Sequence, residues 1–226
     1  MIYEHIKKGR FINRPNRFIA NVEIDGEIKV CHVKNTGRCR ELLQKGVTVI
    51  LHRPDRRERK TEYDLVAVYK GDMLINMDSQ APNAVFRSFA NYSGYFGEDV
   101  RIYPERTYGD SRFDFYIESK ERRIFVEVKG VTLEQDGVVR FPDAPTERGV
   151  KHLKELIRAV ADGYEAYIFF VIQMEKCRYF TPNREMHPAF ADTLAEAAAS
   201  GVRVVAMTCR VGEDSLELLD SVDVKL

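Results

Sequence analysis

Nowhere in the 226 residues does an apolar run approach the ~18–20 residues of a membrane span, so no membrane association is expected. The opening MIYEHIKKGRF lacks the apolar stretch of a secretory leader. Cysteine is scarce: Cys31, Cys39, Cys177 and Cys209 form no C-x-x-C pair and no zinc spacing with the five histidines. They read as reduced thiols in a cytoplasmic protein. No internal repeat and no low-complexity tract appears. Apolar residues make up 44% of the chain, enough for a packed core and against wholesale disorder.

Net charge is also lacking, but its distribution is uneven. Residues 1–78 carry 16 Lys and Arg against 11 Asp and Glu, and residues 79–226 carry 19 against 24. The basic excess concentrates in KKGRFINRPNRF (7–18) and RPDRRERK (53–60). Such asymmetry suggests two modules, the first able to meet a polyanion, although solvated loops would give the same composition.

The first module reads as short strands. RFIANVEI and EIKVCHVK form a hairpin across Asp25-Gly26. NTGRCRELLQKG looks like a loop entering a short helix that ends at Gly46. VTVILHR, EYDLVAVYK and MLINMD complete five strands, which suit a small closed barrel of the OB type. A boundary falls near 78–82, where DSQAPN starts a helix through AVFRSFANY. VRIYPE, RFDFYIE and RIFVEVKGVTL follow as strands. TERGVKHLKELIRAVADG is a helix with Val150, Leu153, Leu156, Ile157 and Val160 at helical spacing. YEAYIFFVIQ and VRVVAMTC are buried strands around a second helix, HPAFADTLAEAAASG. The order predicts an α/β (mixed) fold, a mixed sheet flanked by helices. The acidic tail from Glu213 carries no signal.

FVEVKGVTL (125–133) combines a core strand with chemistry. Val126 and Val128 face one side, and Glu127 and Lys129 the other. In RFDFYIE, Phe113, Phe115 and Ile117 share one face and Asp114 takes the other. If the SKER turn is centred between Lys120 and Glu121, position 114 lies opposite 127. Two carboxylates that close repel, and want a proton or a metal between them. Mg²⁺ suits them, with Mn²⁺ as the alternative ion, since it binds one or two carboxylates and takes the rest from water and phosphate. Asp114 and Glu127 would be its ligands, and Lys129 would orient a water or meet developing charge. The plain alternative is a solvated hairpin face with a surface ion pair.

Together GRFINRPNRF (9–18), CHVKNTGR (31–38), YGDSRFDF (108–115), FVEVKGVTL and FPDAPTERGVKHLKEL (141–156) resemble the sugar fermentation stimulation protein A (SfsA) family. The resemblance implies an OB-like N-terminal domain, placed at 1–80, and a domain like the PD-(D/E)XK nucleases at 81–226. It also implies DNA binding. Asp114 then fills the acidic position of the nuclease core, and Glu127 and Lys129 the E-x-K pair. Glu105 would be a further acid, or else a strand-end surface charge. Arg112 flanks Asp114 and would lie near DNA, or else form a structural ion pair. Thr146 can cap the following helix, where Arg148, Lys151 and His152 would grip a phosphate. In the first module, Arg10, Arg14, Arg17 and Arg38 would contact phosphates. Asn35 belongs to the same binding loop, and Phe11 and Phe18 read as core residues of the first strand, with stacking on a base as the alternative. Lys34 and the stretch INMDSQAPN (75–83) depart from the family pattern.

The expectation is a cytoplasmic DNA-binding protein with a Mg²⁺-dependent nuclease site. The alternative is a non-catalytic DNA-binding regulator of sugar-metabolism genes. A sugar-handling enzyme finds no glycine-rich cradle or nucleophile motif. A homodimer would suit double-strand cutting, though no residue argues for one.

Overall fold

The computed structural model describes residues 1–35, 37–55, 60–120 and 122–226. Residues 56–59 of the basic loop, Thr36 of the NTGR loop and Glu121 of the SKER turn lie outside the described residues.

The N-terminal strands are β1 (Ile6–Asn16), β2 (Ile19–Ile24), β3 (Glu27–Val33), β4 (Thr48–His52), β5 (Tyr63–Lys70) and β6 (Met73–Asn76). They run in the order β3-β2-β1-β4-β5-β6, and a parallel β3–β5 pairing closes β1–β5 into a five-stranded barrel. Asp25 and Gly26 both take positive φ, 52° and 83°, as a two-residue hairpin turn requires. Ala20, Val22 and Ile24 alternate into the barrel and meet Cys31 and Val33 of the next strand.

Three expectations need correction here. The first strand of the barrel is β1, hidden in the sequence because KKGRFINRPN buries only Phe11. Phe18, read as core, is instead 45% exposed at the β1–β2 turn, with the Arg17 guanidinium 4.9 Å from its ring centre. The short helix before Gly46 is absent among the described residues. The Leu43 amide bonds back to the Cys39 carbonyl, but the Gly46 amide goes to Phe11 on β1. One turn cannot offset the entropy of helix nucleation, so the barrel strand captures the segment instead.

The C-terminal part begins with α1 (Ala81–Tyr92), followed by β7 (Arg101–Tyr108), β8 (Ser111–Ser119), β9 (Arg122–Val131), β10 (Leu133–Gln135) and β11 (Val138–Phe141). Then come α2 (Glu147–Ala161), β12 (Glu165–Ile172), β13 (Tyr179–Pro182), α3 (Pro188–Ala199), β14 (Arg203–Val211) and β15 (Leu216–Ser221). The main sheet has the order β15-β14-β12-β9-β8-β7. Its centre is parallel, β9–β12–β14, and its flanks are antiparallel. The acidic tail, silent in the sequence, supplies edge strand β15. A small sheet, β10-β11-β13, also went unforeseen. Its strands are too short for an alternation to show.

Helix α1 covers one face of the sheet. Phe86 stands 5.0 Å from the Phe115 ring and 4.9 Å from that of Phe169, contacts of about 0.5–1.5 kcal/mol each beyond area burial. Helices α2 and α3 cover the other face through Leu153, Leu156, Phe190 and Leu194. Phe113 belongs to that second face with Phe125, not to the face of Phe115 and Ile117. The strict alternation expected of β8 fails at Asp114. There the β7–β8 pairing skips Glu105, at φ 55°, and the β8–β9 ladder ends at Phe115↔Val126.

The two parts meet at the carboxyl ends of β9 and β12. Just past β12, the Gln173 amide donates to Val131, and its side-chain Nε2 donates to Asn76 Oδ1 at 2.8 Å and to the Asp78 carbonyl at 3.0 Å. Asp78, fully buried, accepts from Lys34 at 2.6 Å and Tyr3 at 3.2 Å. The two departures from the family pattern, Lys34 and the 75–83 stretch, are thus each other's partners across the junction.

Candidate active site

The β8–β9 hairpin pairs Ser119 with Arg122 and continues to Phe115↔Val126. That is the offset expected from a turn centred at 120/121, and it brings Asp114 to the level of Glu127. Where the ladder ends, the Asp114 carboxylate takes over. Its Oδ2 accepts the Val128 amide at 2.8 Å, and its Oδ1 accepts Nδ2 of Asn83, from the first turn of α1, at 2.9 Å.

Glu127 is 2% exposed. Its Oε1 bonds both Lys129 Nζ and His152 Nδ1. His152 reaches it because Thr146 caps α2 through the Gly149 amide, at 3.1 Å, which fixes where the helix starts. Arg148 Nε lies 3.3 Å from His152 Nε2. Arginine can only donate, so Nε2 accepts and the Nδ1 hydrogen points to Glu127. The plain reading of a solvated surface pair does not hold, because this face of the hairpin is covered by α2.

The electrostatics separate the two acids. Burial, then the Glu127 charge, push the Asp114 carboxyl above its ordinary range against the bonds from Val128 and Asn83. Burial alone would raise Glu127 too, but the His152 hydrogen bond and the Lys129 charge hold it below its ordinary value. Glu127 Oε2, meanwhile, is buried with no hydrogen-bond partner among the described residues. A desolvated carboxylate oxygen left unpaired is expensive. Beside a second, half-buried carboxylate with lone pairs to spare, it suits a small hard cation.

The remaining predicted residues divide. Glu105 is exposed and pairs with Arg112 at 3.1 Å. Lys151 donates to the Asp110 carbonyl at 2.7 Å, pinning the β7–β8 turn to α2. The Arg14 guanidinium donates to the carbonyls of Arg17, Asn35, Gly37 and Arg38, at 2.6–2.8 Å. The Asn35 amide is likewise engaged, with Met77 and Gly37. Arg17 and Arg38 instead line an open groove of about 430 Å³ with Arg14 and Arg40. Arg10 is exposed on β1, across from Glu23.

Sequence reasoning missed Asn83, which comes from the stretch that matches the family pattern least. It also missed Gln173, which follows the apolar run Ala166–Ile172. Neither carries a local signal.

The fold and site define a two-part protein: an OB barrel joined to a mixed α/β sheet with a buried acid–lysine–histidine cluster at the end of its central hairpin. The profile described as the SfsA N-terminal OB domain matches residues 12–77, and that described as the sugar fermentation stimulation protein RE domain matches 80–215. The chain belongs to the sugar fermentation stimulation protein family. It is 61% identical over 226 residues to the sugar fermentation stimulation protein homolog of Desulfitobacterium hafniense (strain DSM 10664 / DCB-2), covering 100% of this chain and 99% of the relative. The Clostridium beijerinckii homolog is 55% identical, with both chains covered completely. The structure of Pyrococcus furiosus SfsA in complex with Ca²⁺ superposes with a TM-score of 0.90 at 27% identity, covering 100% of this chain and 98% of that one.

Proposed function

We propose that the protein is a cytoplasmic, DNA-binding nuclease that uses a divalent cation, Mg²⁺ or Mn²⁺, held by Asp114 and Glu127. The unpartnered, buried Glu127 Oε2 beside Asp114 carries this reading. The Ca²⁺ named with the P. furiosus relative supports a hard-cation site in this fold. Such an ion would shield phosphodiester charge and lower the pKa of a bound water.

The chain's own residues do the rest. His152, oriented by Arg148, and Lys129 hold Oε1 of Glu127, which aims Oε2 at the cation position. Asn83 and the Val128 amide fix Asp114. Lys129 would meet developing negative charge on the phosphate. Arg17, Arg38 and Arg40 offer a cationic track for the strand on the barrel side.

The test is cleavage of single-stranded and supercoiled DNA with Mg²⁺, Mn²⁺ or EDTA, using wild type, Asp114→Ala and Lys129→Ala purified identically. Metal-dependent cutting in the wild type, lost in both variants, supports the reading. No cutting in any protein, with binding intact in Asp114→Ala, would favour a DNA-binding regulator.

A further inference from the structure

We propose that the cleft between Asn35, Gly37 and the carboxyl ends of β9 and β12 holds one nucleobase of a bound strand. This deepens the nuclease reading and rests on it for the source of the base. The cleft has a volume of about 170 Å³ and is lined by Gly130, Thr132, Phe141, Asp143, Gln173 and Gly37, among others. Gly130, which follows Lys129 on β9, lines it. Its volume is below the roughly 300–1,000 Å³ of sites for larger ligands, which suits a single heterocycle.

The lining selects the chemistry. Gln173 is 2% exposed, and its Nε2 is fixed by Asn76 and Asp78. Among the described residues no donor reaches its Oε1, which is presented on the cleft wall as an oriented acceptor. Gly130 permits this: a Cβ there would lie 2.5 Å from Gln173 Oε1 and 2.7 Å from Pro82. Asp143 adds a carboxylate at the rim, packed against Gly37, whose Cβ would come within 2.6 Å of it. Arg140 adds a donor, and Phe141, Val131 and Leu133 an apolar wall. An anion would meet Asp143 and the Gln173 carbonyl oxygen, so phosphate is disfavoured. A ring carrying both amino and carbonyl edges fits, and bases withdrawn from a stack are read in this way.

The test uses the full chain in Ca²⁺ with oligonucleotides carrying 2-aminopurine at successive positions. An abasic residue replaces each position in a parallel set. One position should brighten several-fold on binding, and its abasic counterpart should bind several-fold more weakly by anisotropy. Thr132→Phe, which fills the cleft from a half-buried position whose side chain makes no hydrogen bond among the described residues, should abolish both effects. Asp143→Ala, at the exposed rim, should weaken them and guards against misfolding of the first variant. Equal brightness at every position, or a signal that survives Thr132→Phe, overturns the proposal. Equilibrium dialysis against free deoxynucleosides separates the sources. Nucleosides held in the cleft with no responding strand position would mean a free nucleotide, and would overturn the strand assignment. Absence of any DNA binding would instead refute the nuclease reading, with dialysis then deciding the cleft.

Discussion

Replacing Asp114 by Asn should make the metal-free protein more stable while abolishing the proposed DNA cleavage. The wild type holds two carboxylates at the end of one hairpin, with Asp114 above its ordinary range through burial and then the Glu127 charge. The asparagine removes that charge and keeps the shape. Its Oδ1 can accept the Val128 amide, and a flip of the Asn83 amide satisfies the new NH₂. Stabilising substitutions, charge optimisation among them, are commonly worth about 0.5–2 kcal/mol each. At about 2–4 °C per kcal/mol for a chain of this size, Tm should rise by roughly 1–8 °C in EDTA at pH 8. The sign with pH is fixed. The folded state holds the Asp114 proton more tightly than the unfolded chain does. The stability this contributes is present at low pH and is lost as pH rises through the folded value. The advantage of the variant should therefore shrink toward about pH 4. Saturating Mg²⁺ should reverse the order, because a ligand at 100 times its Kd adds about 2.7 kcal/mol to the wild type alone. Differential scanning calorimetry at the two pH values, with and without Mg²⁺, reads all four numbers. A variant less stable than wild type in EDTA at pH 8 would refute the argument.

Lys34→Met should destabilise by about 2–4 kcal/mol, because it strands the fully buried Asp78; urea denaturation measures this, and Lys34→Met with Asp78→Asn should recover most of it. Thr146→Ala removes the α2 cap and should cost about 1 kcal/mol, with a drop in metal affinity because α2 carries His152. His152→Ala should lower cleavage at least tenfold and weaken Mg²⁺ binding in calorimetry, since Glu127 loses the partner that aims it. Arg14→Ala should loosen the 35–38 loop, seen as faster hydrogen exchange at Gly37 and Arg38.

The centre of the site was legible because it is local. A hairpin of known turn position fixes its own register, so Asp114, Glu127 and Lys129 could be brought together from spacing alone. Helix α2 was legible through its periodicity and its cap. The rest depends on distant segments. Asn83 reaches Asp114 across 31 residues, and Lys34 reaches Asp78 across 44. Strand β1 was obscured by basic residues that face solvent, and β15 by an acidic tail whose pairing partner decides its state. Arg14 has a second role that its charge did not reveal: besides lining the groove with Arg17 and Arg38, it holds backbone carbonyls of a neighbouring loop.

The most direct test of the central claim is a crystal of the protein soaked in Mn²⁺ and measured for anomalous scattering. The account predicts a peak roughly 2.0–2.3 Å from Glu127 Oε2 and from one Asp114 oxygen. A crystal with no peak there, or with manganese only at the exposed Glu4, His5 and Asp55 cluster, would contradict it.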